Sequence, residues 1–500
     1  MHIFYSINIV YYLYKLFEDD TMLNLLTQNN QDKLTLLDFL ENNIDTIIPL
    51  WQLEELLNLS TFKTSNTIEE LSDELSRFSS GTIKLLPNKN VTAYGITNEL
   101  INKFKLYYLK LSPLFKIYMF FYNGDHNFPL KIKEIGISQA SAYKLTKKLN
   151  QQLDPFTIKI YNQKLTGSER SIRLKTFELL LFFFKGIESP FDKSILKSAH
   201  LLIHALVKLL DIPSSNSMKL KLEYFISVSL IRIKQGFVIE PADTLTFKKG
   251  TSCSSDRLYS ILFSTFKQLF PALSEQETHM EVLYLIEFIV AESLFTDSST
   301  LEGFTMSSKL TTQTSGFISH MRSACNSEEV FQLAEAKLTQ ETSASFLKHT
   351  LFNYHTDSFN NDLINQQFTE LYVTESQLIS EFILAQNNQN ELPSESFSLF
   401  YDLLFLIVTH VPDNAFQLPL HICVDFSRSL TYSKHIKNKI SAFDALKVIF
   451  DDEVTDDTNL YVSDFANYQI NTPQIIWKDP PSINDWRLFG DTLIDIRKGM

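Results

Sequence analysis

The sequence predicts a mainly α-helical, multidomain chain: two winged helix-turn-helix units, two helical bundles and a small α/β module closing the C-terminus. Three observations predict it. Five hundred residues exceed what one hydrophobic core spans. Only 12 glycines and 15 prolines interrupt a chain in which apolar residues recur at helical spacing. After Pro412 the pattern changes to strand–helix–strand alternation.

An apolar fraction of 44% with 21% charged residues is that of a globular protein and argues against disorder. Cys253, Cys325 and Cys423 lie far apart with no CxxC pair, a pattern suited to a reducing cytoplasm rather than a disulfide framework. Within residues 1–21, the stretch His2–Leu16 is apolar and tyrosine-rich, yet these residues lack a charged start and a small-residue cleavage site, and the apolar stretch is too short to span a bilayer. They read as an over-extended frame ahead of Met22 or as an extra amphipathic helix. No other stretch suits a membrane span, so a cytoplasmic protein is expected.

The first unit covers residues 22–95. Asp32–Asn42 and Pro49–Leu59 have helical spacing, and Ser65–Phe78 forms a third helix with Ser65 as its N-cap. Residues 81–86 and 90–96 alternate as two strands joined at Pro87-Asn88. Glu69, Glu70, Asp73 and Glu74 on the third helix would be repelled by phosphates, so the unit reads as a packing module rather than a base reader.

The second unit covers residues 96–180. Asn98–Phe121 forms one long helical pattern, Leu130–Ile135 a second helix, and Gly136 a tight turn before a third helix capped by Ser138. Ile132, Ile135, Ile137, Ala142, Leu145 and Leu149 supply the buried face. Thr157–Tyr161 and Ser168–Arg173 are the expected wing strands, with Gly167 in their turn. Residues 101–180 carry 14 Lys/Arg against 5 Asp/Glu, in a chain of net charge -13. Such a basic island is the footprint of a polyanion-binding surface.

Within that island, Ile135-Gly-Ile-Ser-Gln-Ala-Ser-Ala-Tyr-Lys-Leu-Thr-Lys-Lys-Leu149 puts glycine in the turn, a cap after it, and short side chains first in the next helix. Short residues let a helix sink into a major groove about 12 Å wide. Ser138, Gln139, Ala140, Ser141, Tyr143, Lys144, Lys147 and Lys148 are the candidate contacts to double-stranded DNA. Gln139 and Ser141 suit base edges, and the three lysines suit phosphates.

From 181 to 295 and from 296 to 415, helical patterns alternate with polar connectors near Pro213–Ser217, Asp297–Thr311 and Asn387–Pro393. In residues 416–500, Pro419–Phe426, Lys447–Phe450 and Leu460–Asp464 read as strands and Ser433–Ala445 as a helix. His200 and His204 stand at i, i+4, but no third ligand accompanies them, so no metal site is expected. No nucleophile elbow, P-loop or dinucleotide fingerprint is present, so no catalytic residue, cofactor or enzymatic activity is expected.

In its order of parts the chain resembles the Mga/AtxA-type virulence regulators of Gram-positive bacteria. Two further stretches share the likeness: Gly167-Ser-Glu-Arg-Ser-Ile-Arg173, and Leu222-Glu-Tyr-Phe-Ile-Ser-Val-Ser-Leu-Ile-Arg-Ile-Lys-Gln-Gly236. The resemblance implies a DNA-binding transcription activator working as a homodimer or higher oligomer. It implies that 181–295 and 296–415 are similar to phosphotransferase-system regulatory domains (PRDs), whose histidines take phosphate from carrier proteins, and that 416–500 is similar to a sugar-transport IIB domain. Counted by the family's pattern, the histidine positions of the first PRD-like domain fall at Phe225 and near Phe288, which cannot take a phosphoryl group. His410 remains as an acceptor, with His204 and His279 behind it. The IIB cysteine would align near Asp425, with Cys423 inside the strand. That module therefore reads as a retained scaffold and dimer surface. The alternative is a phosphotransferase-derived interaction or phosphocarrier protein without direct DNA binding.

Overall fold

A computed structural model describes residues 22–43, 46–78, 81–125, 127–210, 215–242, 245–250, 253–295, 301–326, 328–352, 372–388, 397–412, 415–416, 419–441 and 448–499. Helix accounts for 67% of the structure, in eighteen α-helices among the described residues. The chain divides into two compact units, one running to Val290 and including 301–305, the other beginning at Met306. The expectations for residues 1–21 lie outside the described residues.

The first unit opens with α1 (Gln28–Asn42), β1 (Ile48–Pro49), α2 (Leu50–Leu57), α3 (Thr61–Phe78), β2 (Thr82–Leu85) and β3 (Asn90–Tyr94). The strands form an antiparallel sheet in the order β1-β3-β2, and Leu34, Leu37, Leu53, Leu71, Leu75 and Val91 are buried. Helix α3 begins at Thr61, not Ser65. Thr64 N–H already donates to Ser60 O at 2.9 Å, and nothing in Thr61–Thr64 opposes helix, so the cap expected at Ser65 lies inside the second turn.

Next come α4 (Asn98–Leu111) and α5 (Pro113–Tyr122), in place of the single helix expected over 98–121. Pro113 lacks an N–H and forces Ser112 out of the helical region, to ψ 120°. Ser112 then caps α5, accepting from Phe115 N–H at 3.2 Å. Helices α6 (Phe128–Ile135) and α7 (Gln139–Leu153) follow, then β4 (Ile158–Tyr161) and β5 (Lys164–Gly167).

The wing differs from the expected one. Ser168–Arg173 is not a strand: Ser168 caps α8 (Glu169–Phe184), accepting from Ser171 N–H. The hairpin turns at Asn162-Gln163, whose φ angles of 47° and 59° suit a two-residue turn matched to strand twist. Gly167 ends β5 opposite Ile158, because a Cβ there would sit 2.1 Å from Thr157 O.

Beyond α8 the unit continues with α9 (Lys193–Leu210), α10 (Asn216–Lys234), β6 (Leu245–Phe247), α11 (Cys253–Leu269) and α12 (Glu275–Ala291); β6 pairs with β7 (Phe304–Met306). The connector expected over 297–311 thus holds a strand. It also holds the start of α13, because Ser307 caps that helix by accepting from Leu310 N–H. The described residues give no account of 296–300.

The second unit comprises α13 (Ser308–Ala324), α14 (Glu328–Leu351), α15 (Val373–Asn388) and α16 (Phe397–His410), then β8 (Leu420–Asp425), α17 (Leu430–Ser441), β9 (Val448–Asp451), β10 (Leu460–Ser463), β11 (Gln474–Ile476) and α18 (Ile483–Gly499). The four last strands form a parallel sheet in the order β11-β10-β8-β9. Leu420, Ile422, Val424, Leu460 and Val462 pack with Ile436, Ile440, Phe489 and Leu493 of α17 and α18. Strand β11 and α18 carry no expectation from the sequence: Gln474–Ile476 is too short to show alternation.

Candidate nucleic-acid interface

Local chemistry builds the helix-turn-helix. Asn127 caps α6, Pro129 sits in its first turn, and Gly136 closes it in the left-handed region at φ 80°, its N–H returning to Ile132 O. Ser138 then caps α7, its Oγ accepting from Ser141 N–H at 3.1 Å. Phe128 is held between Phe120 and Phe121, with ring centroids 5.4 and 5.0 Å away, which fixes α6 on α5.

Helix α7 buries Ala142, Leu149 and Leu153 and exposes Gln139, Ala140, Ser141, Tyr143, Lys144, Lys147 and Lys148, with exposed Ser138 at its head. All eight expected contact residues therefore share one helix and its cap, and all face solvent. Of the expected buried face, Ile132, Ala142 and Leu149 are buried, while Ile135, Ile137 and Leu145 are half-buried. No carboxylate lies on α7, and Lys144, Lys147 and Lys148 make no ion pair among the described residues. An unpaired cationic face opposite a buried one is free to meet phosphates.

The wing adds exposed groups that the sequence reading did not single out. Asn150 Oδ1 of α7 accepts from Ile160 N–H at 2.6 Å, tying the hairpin to the helix. Exposed Tyr161, Asn162, Gln163 and Lys164 then form its tip, and Lys159 pairs with Asp154 at 3.4 Å. Asn-Gln between two alternating runs was the sequence signal.

The acidic α3 presents a different picture. Buried Lys33 takes both Glu70 at 2.9 Å and Glu74 at 2.8 Å, and Tyr108 OH donates to Glu74. Burial alone would lower the Lys33 pKa, but the two carboxylates outweigh it and raise it. Two of the helix's four carboxylates thus pair with Lys33, Glu74 largely covered and Glu70 still exposed. Glu69 and Asp73 remain exposed.

A buried ionic tetrad sits where α8 leaves the wing. Arg173 binds Glu281 through both Nη atoms (2.7 and 2.9 Å) and Glu169 through Nε at 2.9 Å. Arg232 reaches Glu169 at 2.7 Å, and Glu281 also accepts from Ile239 N–H. Burial would lower the Arg173 pKa, yet Glu281 and Glu169 hold it above its ordinary value. Beside it, Tyr122 OH donates to Val228 O at 2.8 Å and Gln235 donates to Tyr122 O. Helix α5 of the helix-turn-helix is thereby bonded to α10.

Phe225 and Phe288 are stacked, with centroids 3.6 Å apart and planes 7° from parallel, and Phe177 meets both edge-on. The histidines lie apart. His204 is exposed on α9, and His279 on α12 binds Tyr259 OH at 2.7 Å, its pKa lowered by burial. His410 ends α16, 13% exposed, with Nε2 at 2.9 Å from Glu341 of α14. A second such contact, His349 to Asp402 at 3.0 Å, joins the same two helices and left no sequence signal.

At the C-terminal sheet, Asp425 is exposed and accepts from Tyr461 OH at 3.0 Å. Cys423 is buried within β8, and burial, then Asp425, pushes its thiol pKa up, so it is no thiolate nucleophile. Ser427 donates from N–H (2.8 Å) and Oγ to Asp464.

Among the described residues no helix is long and apolar enough to cross a membrane, and no group of three or more His, Cys, Asp or Glu is placed to hold a metal ion. Residues 97–180 match the family model of the Mga helix-turn-helix domain. No curated protein matches the chain.

Proposed function

We propose that this chain, which carries a Mga helix-turn-helix domain over residues 97–180, is a transcription activator that binds double-stranded DNA chiefly through α7. The carrying observation is the exposed face of that helix, where Gln139, Ser141, Lys144, Lys147 and Lys148 stand together with no carboxylate among them. Ser138, Ala140 and Tyr143 complete the contact surface. Short Ala140 and Ser141 admit the helix to the major groove, Gln139 reads base edges, and the lysines set register on the phosphates. The rest of the layout is assigned as 22–95 first winged unit, 96–180 DNA reader, 181–295 and 296–415 PRD-like bundles, and 416–500 IIB-like dimer surface.

Regulation runs through the second bundle. Phosphorylation of His410 by a sugar phosphotransferase carrier would put charge against Glu341 and loosen α14 from α16. His204 and His279 are secondary acceptors. The paired phenylalanines at 225 and 288 leave the first bundle without a histidine at the two positions to which the resemblance points.

Gel-shift titration over a range of salt tests the reading. Replacing Lys144, Lys147 and Lys148 by alanine should weaken binding and flatten log K against log salt by about 0.9 for each lost phosphate contact. Unchanged affinity and slope would sink it.

A further inference from the structure

Helix α9 carries a cationic stripe that its own fold does not explain. Its sequence, KSILKSAHLLIHALVKLL, contains no carboxylate. Ala199, Leu202, Leu206 and Leu210 form the buried face. On the opposite side, Lys193, Lys197, His200, His204 and Lys208 are all exposed. At 3.6 residues per turn they fall within an arc of about 80° and a length of about 22 Å.

Three features of this row disfavour the helix itself. Lys193 places a cation in the first turn, against the helix dipole. Lys193 and Lys197 are like charges at i, i+4, which repel. None of the three lysines forms an ion pair among the described residues, although His200 meets Glu223 at 2.7 Å. The surroundings sharpen the contrast. Residues 193–234 hold seven Lys/Arg against two Asp/Glu, whereas 235–500 hold 17 against 35. A local rule broken without internal compensation marks a functional surface.

We propose that the exposed face of α9 is a second DNA contact, gripping duplex backbone outside the segment read by α7. The proposal rests on the DNA-binding reading above and extends it to the first helical bundle. The row spans about six base pairs of backbone at 3.4 Å per pair, and lysine and histidine heads without base-reading partners make a sequence-independent contact. The occupant is duplex DNA because the chain already carries a DNA-binding domain in the same compact unit. A long polyanion is also what a row of unpaired lysines complements best.

The experiment uses the full chain, a duplex of about 15 bp, one of about 60 bp, and salt titrations of both. The wild type should show a steeper salt slope on the long duplex. Lys193→Ala/Lys197→Ala/Lys208→Ala should bind the short duplex as the wild type does. On the long one it should lose about two to three units of slope. Its unfolding midpoint should not fall below the wild-type value, since all three side chains are exposed and two of them disfavour the helix. Equal slopes for variant and wild type on both duplexes would overturn the proposal. The α7 lysine variant is the separate control: if it binds both duplexes normally, the α7 reading fails whatever α9 does.

Discussion

Arg232 reaches back across 63 positions of chain to grip Glu169, at 2.7 Å from Nη2 and 3.0 Å from Nε. Glu169 opens the helix that follows the wing, and Arg232 lies near the end of α10, so one ion pair ties the helix-turn-helix domain to the helices after it. Both side chains are buried, and Arg173 and Glu281 complete a charge-balanced set. The two short stretches that carried the family likeness, 167–173 and 222–236, meet here in space.

Removing one member should cost far more than the pair contributes. Arg232→Met leaves Glu169 buried against Arg173 alone, and a loss of about 3–5 kcal/mol is expected. Urea denaturation of the full chain measures it. A change within about 0.5 kcal/mol would show that the tetrad does not hold α8 to α10.

Gly167→Ala tests the wing. The residue has φ 131°, and a Cβ would meet Thr157 O at 2.1 Å. Strain of about 1–3 kcal/mol is expected. It should fall on the hairpin, so DNA affinity should drop while α7 stays folded. Wild-type affinity in a titration would argue that the wing does not touch DNA.

His410 is the acceptor named for phosphate transfer. Incubation with the phosphocarrier proteins and a phosphate donor should label the wild type, and His410→Ala should remove most of the label. Equal labelling of the two would move the switch to another histidine, with His204→Ala and His279→Ala as the next variants.

Asp402 predicts a pH dependence. Burial opposes its ionisation, but the His349 and Lys348 contacts outweigh this and hold its pKa below the ordinary value. A depressed carboxyl pKa adds stability that is present above the unfolded value and lost as pH falls through the folded one. Asp402→Asn should therefore cost about 1–3 kcal/mol at pH 7. The gap from wild type should close below about pH 4. Thermal melts between pH 7 and 3 check this; a constant gap would show that the carboxylate's charge is not what stabilises α14 against α16.

The helix-turn-helix was legible in the chain because its determinants are local. Gly136 in the left-handed turn, Ser138 as cap, and Ala142 and Leu149 at helical spacing all act within one or two turns. Short-range signals also competed. The apolar period across 98–121 masked the break that Pro113 imposes, and Gly167 drew attention from the Asn162-Gln163 turn.

By itself the sequence determined the helical class, the basic island and the helix-turn-helix, since each depends on residue type and near-neighbour spacing. Tertiary structure alone decided the rest. It turned Glu70 and Glu74 onto Lys33, stacked Phe225 on Phe288, and closed the Glu169–Arg173–Arg232–Glu281 set. Buried charges must find partners wherever packing brings helices together, and no local pattern in the chain records which helix that will be.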